Sequence, residues 1–393
     1  MRRSVISLII ATLLFANAAE LTMAESYKSL PQPVWSQKPN ADYIPARKDI
    51  FFVPGRDTLY IHIGEERASE TKVWSPDTLR AVDPVTGKIK WVFSFAKPGY
   101  GWPSTEDPFV YAPDGTVYAY FSSEHLLYSV SPEGKEKWSK KLSSDILYNG
   151  KLHLLSDGTL IIAAEKSTKI GSESVQFIGF DKNGKQRFNK VIAGKLRTVT
   201  KTQLVVEVPT KEKESQKVEV FSSSLRRAFQ YTFPKGAYVN FYTTFALSDG
   251  TIIFSVTPKP KTTKLIALSP SGKVIWGRSI EQLGFAFQAG SGYMVFNYKS
   301  KKLSYFNQKG LVSERILSDF TMLEGDSLPS AYITADGKLF VDLLNQQYVL
   351  DPETLSTINE FKLGVEGYIL DYRNNSVVVY YWEENRISKH VLK

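Results

Sequence analysis

A short phrase recurs along the chain at intervals of roughly forty to fifty residues, a period that marks repeat architectures. Its clearest copy runs from Leu79 to Phe93 as LRAVDPVTGKIKWVF. Related copies read LLYSVSPEGKEKW (Leu126 to Trp138), FIGFDKNGKQRF (Phe177 to Phe188), LIALSPSGKVIW (Leu265 to Trp276) and, more decayed, LSYFNQKGLVSE (Leu303 to Glu314). Each reads as a strand, a tight turn and a second strand. The turns place Pro where φ is near −65° and Gly where φ must be positive, which predicts hairpins.

Half a period upstream of most copies lies a second turn, usually Asp-Gly, as at Asp114-Gly115, Asp157-Gly158, Asp249-Gly250 and Asp336-Gly337. Looser versions at Arg56-Asp57, Lys201-Thr202, Ser291-Gly292 and Asn374-Asn375 bring the number to eight. One period therefore holds two hairpins, or four antiparallel strands, the size of one blade of a β-propeller. The reading is all-β, a single eight-bladed propeller of four-stranded blades, or seven-bladed if the decayed unit from Lys195 to Phe233 is not a full blade. The last unit, after Gly367 to Leu370 and Ser376 to Tyr381, supplies only one further run, Arg386 to Leu392. Its missing outer strand has a candidate in Pro33-Val34-Trp35-Ser36, and pairing it there would close the ring and hide an exposed strand edge.

The repeat resembles that of the pyrroloquinoline-quinone (PQQ) type propeller, Ala-x-Asp-x-x-Thr-Gly-Lys-x-x-Trp. Ala81, Asp83, Thr86, Gly87, Lys88 and Trp91 match it at every defined position, and Ala267, Gly272, Lys273 and Trp276 match with one residue fewer in the turn. Gly134 and Trp138 match more weakly. The resemblance implies that Trp91, Trp138 and Trp276, with Gly87 and Gly272, dock each blade on the turn of its neighbour. Such tryptophans bury on the order of 150 to 250 Å² each and are scaffold rather than ligand-binding residues.

The quinone dehydrogenase activity found within that fold class is not implied. The family's catalytic members use a vicinal disulfide, and this chain has no Cys, which also rules out thiolate catalysis and thiolate metal sites. No cofactor is expected, and the resemblance is to the non-catalytic, binding branch. The four histidines, His62, His125, His153 and His390, fall in four different repeat units without HxH or HExxH spacing, so no metal site is expected. Glu106 and Asp107 are the carboxylate pair nearest to an acid/base arrangement, against a solvated turn before Pro108 as the plainer reading.

Residues 1–24 read as a signal peptide: Arg2 and Arg3, an apolar stretch from Val5 to Phe15, then small residues with cleavage after Ala18, Ala19 or Ala24. Residues 25–393 then form the propeller domain of a secreted or loosely surface-associated protein, expected to be monomeric. The formal net charge is +9, with clusters at Lys135, Lys137, Lys140 and Lys141 and at Lys182, Lys185, Arg187 and Lys190. This balance allows weak attraction to anionic wall polymers or a membrane surface, while lysines near strand edges also serve solubility. No nucleic-acid-binding motif accompanies the charge, and nucleic acid is not expected.

The segments that lead from one blade to the next are rich in aromatics: Tyr43, Tyr100 and Trp102, Tyr148, Tyr238 and Phe241, Phe285 and Phe287, Phe320, and Tyr368. Aromatic anchors on a rigid rim suit recognition, and some must simply seal the channel. Tyr100, Trp102, Tyr148, Tyr238, Phe241 and Phe320 are the candidate partner-binding residues. The expected function is a non-enzymatic scaffold that binds a protein or cell-envelope partner through its loop face. The alternative is a polysaccharide- or glycan-active enzyme with carboxylates at the channel mouth.

Overall fold

The computed structural model describes residues 30–37, 50–52, 58–63, 78–95, 109–122, 125–143, 150–167, 173–210, 215–247, 249–257, 263–280, 285–289, 292–297, 299–317, 330–334, 337–342, 346–361, 367–373, 375–381, 384 and 386–392. The expected signal peptide, the Glu106–Asp107 pair and the aromatics Tyr43, Tyr100, Trp102, Tyr148 and Phe320 lie outside the described residues.

Among the described residues, eight four-stranded antiparallel sheets account for every strand. The first sheet runs outward in chain order through Ile50–Phe52, Leu59–Ile63, Thr78–Val82 and Ile89–Ser94. The next six repeat that order from first strands at Phe109–Tyr111, Lys151–Leu154, Lys195–Val199, Tyr238–Ala246, Phe285–Ala289 and Ser330–Ile333. The decayed unit is complete, with strands Lys195–Val199, Gln203–Val208, Lys217–Ser222 and Arg227–Thr232 in one sheet.

First strands touch at the second–third, fourth–fifth, fifth–sixth and sixth–seventh junctions, and Ile50–Phe52 touches Gly367–Arg373 of the eighth sheet, so the row returns on itself. Sheets that radiate from a ring of inner strands make a β-propeller. Burial follows that geometry. Middle strands are covered on both sides, as in Val117–Phe121, where every residue is buried. Outer strands Ile89–Ser94, Glu136–Lys141 and Arg227–Thr232 share one pattern in which only the third and fifth residues are partly covered. Each apolar cluster straddles a junction between two sheets, so stability is built from nearest-neighbour interfaces. One cluster, for example, joins Tyr60, Leu79 and Phe95 to Val117, Ala119 and Tyr128.

The eighth sheet takes its outer strand from the start of the described chain, as the repeat count requires. Trp35–Gln37 pairs antiparallel with Arg386–Val391, in the register Trp35↔Lys389, Ser36↔Ser388 and Gln37↔Ile387. The Ser36 and Ser388 hydroxyls meet at 2.8 Å. Upstream, Nδ1 of His390 lies 2.6 Å from the Pro31 carbonyl, while its Nε2 lies 3.1 Å from the Tyr381 hydroxyl. Burial lowers the His390 pKa, which keeps the ring neutral, with Nδ1–H as donor and Nε2 as acceptor.

Docking between sheets follows a recurring pattern. At most junctions an aromatic on the outer strand reaches the last hairpin turn of the following sheet, whereas the sixth outer strand, Gly310–Ile316, has no aromatic and reaches the Leu355 carbonyl through Arg315 at 2.8 Å. Trp91 donates its indole N–H to the Pro132 carbonyl at 2.8 Å, Trp138 to Lys182 at 2.9 Å, and Trp276 to Gln308 at 2.9 Å. The Trp91 and Trp138 rings then cover glycines, Gly134 and Gly184: a Cβ added to Gly134 would sit 2.5 Å from Cδ2 of Trp91. Gly134 also has φ +77°, so close approach and backbone conformation both demand glycine there. Asp83 sets the turn of the best motif copy, its carboxylate accepting from the amides of Val85 at 2.8 Å and Thr86 at 2.9 Å.

Candidate functional site

Strand direction divides the propeller into two faces. Segments that link one sheet to the next arrive at the start of each inner strand, on the link face. The hairpins after inner strands and before outer strands lie on the opposite, turn face.

On the link face, the junction of the fourth and fifth sheets carries the best-defined rim. Phe233 donates its amide to the Gln216 carbonyl at 2.9 Å, and Ala237 donates to Pro234 at 3.0 Å across Gly236, whose φ is +73°. Val239 then donates to Oε1 of Gln216 at 2.8 Å, so Gln216 grips this short link at both ends. Its amide nitrogen donates to Oε1 of Glu207 at 3.3 Å, and the other oxygen of Glu207 accepts from Nε of Arg197 at 2.8 Å. The Arg197 guanidinium lies 4.7 Å from the Phe241 ring centre. Phe241 in turn meets Phe233 and Phe254 edge-on, with centroids 6.3 and 6.4 Å away.

Tyr238 stands on this braced segment with its side chain in solvent. It is 62% exposed, whereas Phe241 on the same strand is 7% exposed and belongs to the core cluster between the two sheets. Of the two candidate anchors predicted here, Tyr238 is presented at the rim and Phe241 holds the sheets together beneath it. Residues three apart on a strand fall on opposite faces, a signal present in the sequence that separates the pair. Phe285, Phe287 and Tyr368, read from the sequence as linking segments, lie instead on the inner strands Phe285–Ala289 and Gly367–Arg373.

At the turn-face end of the inner strands, a cavity of about 480 Å³ runs along the second to fifth sheets. Val110, Leu152, Val199 and Phe245 give it apolar walls, and His153, Thr198, Lys201 and Thr244 give it polar ones. Burial, with a smaller contribution from the Lys151 charge, pushes the His153 pKa down to about 4, so the imidazole is neutral at pH 7. Nε2 of His153 and the Thr244 hydroxyl have no hydrogen-bond partner among the described residues. Among the described residues, the cavity lining includes no carboxylate. No group of three or more metal-ligating side chains occurs among the described residues.

Trp91, Trp138 and Trp276 sit at the sheet junctions as the repeat predicts, and Gly87 and Gly272 are the glycines under docked rings. The rings themselves were not foreseen. Trp35 covers Gly87, and Phe229 covers Gly272. Phe188 packs against the core cluster between the third and fourth sheets, which includes Leu225. Register would have found the phenylalanines, since Phe188 and Phe229 stand opposite Gly179 and Val220 as Trp91 stands opposite Ala81.

No protein-family model matches the chain, and no curated protein matches it. Among solved structures, the chain is similar to BamB from Moraxella catarrhalis, at 10% identity and a TM-score of 0.51, over 92% of this chain and 99% of that one. It is also similar to Sqt1 from Saccharomyces cerevisiae, at 10% identity and a TM-score of 0.55, over 93% and 100% of the two chains. At this identity the likeness shows the β-propeller fold alone.

Proposed function

We propose that the chain is an exported, eight-bladed propeller of the PQQ-like kind that acts as a non-enzymatic scaffold, binding a protein or cell-envelope partner on its link face. Each four-stranded sheet counts as one blade, and the mature protein is a monomer. The observation that carries this reading is Tyr238: a large aromatic, 62% exposed, on a link gripped from both sides by Gln216. An exposed ring on a pre-ordered backbone loses little entropy on binding, and tyrosines so placed are frequent hot spots. Tyr100, Trp102, Tyr148 and Phe320, which the sequence places in other linking segments, are further candidate contacts in this reading. Tyr100 and Trp102 contribute most, because Gly and Pro flank them.

The test is capture with the mature protein from the envelope and culture medium of the producing cells, followed by titration of the captured partner against purified protein. A saturable, stoichiometric complex that leaves the partner chemically unchanged is expected. Release of reducing ends from envelope glycans by the purified protein would instead identify an enzyme and overturn the scaffold reading.

A further inference from the structure

The outer wall of the second and third sheets carries a concentration of positive charge that the link-face rim does not use and that the fold uses only in part, through hydrogen bonds of Lys137 and Lys140. Segments 131–143 and 181–193, each a hairpin turn with its outer strand, hold eight lysines and arginines against Glu133, Glu136 and Asp181. On the second sheet Lys135, Lys137 and Lys141 are exposed, and on the third Lys182, Lys185, Arg187 and Lys190 are exposed. None of these seven forms an ion pair within 4 Å among the described residues. Asp181 is occupied by its own turn, accepting from the amides of Asn183 and Lys185 at 3.0 Å each.

The two basic strands form one continuous surface. Lys140 crosses the junction to donate to the Gly184 carbonyl at 3.0 Å, next to the bond from Trp138 to Lys182. The charge is also local rather than spread evenly around the ring. Four sheets further on, the matching segment 351–361 holds Asp351, Glu353 and Glu360 and no basic residue.

From this patch we infer a binding surface for an extended, flexible polyanion with repeating phosphate groups. Seven of the eight cations are lysines, compact hydrated point charges that neutralise phosphate without the fixed fork geometry of arginine. Such a set favours charge density over a particular chemical shape. The outer wall of a closed ring is convex, so a linear flexible chain can follow it from the second sheet to the third. A flat bilayer would touch it only along a tangent, and duplex DNA, with a persistence length of about 150 base pairs, is too stiff to wrap it.

The experiment measures binding of linear polyphosphate to the mature protein across a salt series. The arc variant Lys182→Glu/Lys185→Glu/Arg187→Glu is compared with Lys273→Glu/Arg278→Glu/Lys309→Glu, an equal change of net charge on the fifth and sixth sheets. Thermal unfolding of every sample confirms that each is folded. The arc variant should raise Kd about ten-fold or more and lower the slope of log Kd against log salt by about 2 to 3, while the control changes Kd less than about three-fold. Equal losses in both variants would assign the affinity to net charge and overturn the inference, as would wild-type binding by the arc variant. Anionic phospholipid vesicles or duplex DNA that bind more tightly per phosphate, with the same sensitivity to the arc substitutions, would also overturn it.

Discussion

Trp35 donates its indole N–H to the Pro84 carbonyl at 3.0 Å, the same bond that Trp91 makes to Pro132 one sheet further on. The first described strand of the chain thus plays two roles that the repeat assigns to every outer strand: it pairs with its neighbour and it docks the next sheet. Its ring covers Gly87, where a Cβ would lie 2.9 Å from Cδ2 of Trp35. The eighth sheet and the first are locked by the device that locks the second to the third. Closure is an ordinary junction of the repeat, made between residues far apart in sequence.

The register of that junction can be trapped covalently. The chain has no cysteine, and Ser36 and Ser388 are directly opposed Cα partners. S36C/S388C should form a disulfide under mild oxidation, with loss of both free thiols. It should also raise unfolding stability by about 2 to 4 kcal/mol, because the bond closes a very long loop. A double variant that keeps its thiols under oxidation would contradict the pairing.

Docking strength is read from two substitutions at one interface. Trp91→Ala should cost about 3 to 5 kcal/mol through the cavity it leaves. Gly134→Ala should cost about 2 to 4 kcal/mol, since its φ of +77° is unfavourable for alanine and the new methyl would strike the Trp91 ring. Trp35→Ala should match Trp91→Ala in denaturant unfolding. Retention of wild-type stability by Trp35→Ala would mean that closure does not depend on this ring.

Stability should fall in mild acid. His153 is neutral in the folded protein down to about pH 4, whereas an unfolded histidine protonates near 6.5. Between those values the unfolded chain binds more protons, so stability rises with pH, and it is lost as pH drops through the window. The half-buried residue argues for about 1 to 2 kcal/mol, below the roughly 3 that a fully buried group would give. His153→Leu should flatten the melting temperature between pH 6.5 and 4, leaving the same-signed contribution of His390. An unchanged pH profile in His153→Leu would place the ring in solvent.

The architecture was legible where local turn chemistry carried it. Asp83, Thr86 and Gly87 write a hairpin that needs no tertiary context, and the spacing of such turns gives the repeat. Two units hid because leucine does the work of glycine. Leu225 and Leu355 occupy the left-handed region at φ +56° and +57°, and both side chains are buried in the core. The Asp351-Pro352-Glu353-Thr354 turn repeats the Asp83 hydrogen bonds with its carboxylate 3.1 Å from the Glu353 amide and 2.8 Å from the Thr354 amide. Tertiary burial offsets the backbone strain at these leucines, which no local rule reveals. At the described part of the rim, the sequence named Tyr238 and Phe241 alike and did not tell them apart. Tyr238 and Phe241 have similar chemistry, and only their opposite faces on one strand separate anchor from core. The cavity beside His153 was not legible at all, because four sheets supply its lining.

The most direct test of the scaffold account measures partner capture and thermal unfolding on the same samples of Tyr238→Ala and Phe241→Ala, with Tyr100→Ala/Trp102→Ala as a third variant. Tyr238→Ala and the double variant should each weaken capture by on the order of 2 kcal/mol, about thirty-fold in Kd, with melting temperatures close to wild type. Phe241→Ala should lower stability by about 3 to 5 kcal/mol, and any loss of capture should track its unfolded fraction. Full capture by Tyr238→Ala and by the double variant, with a saturable complex still formed, would place the partner elsewhere and contradict the account.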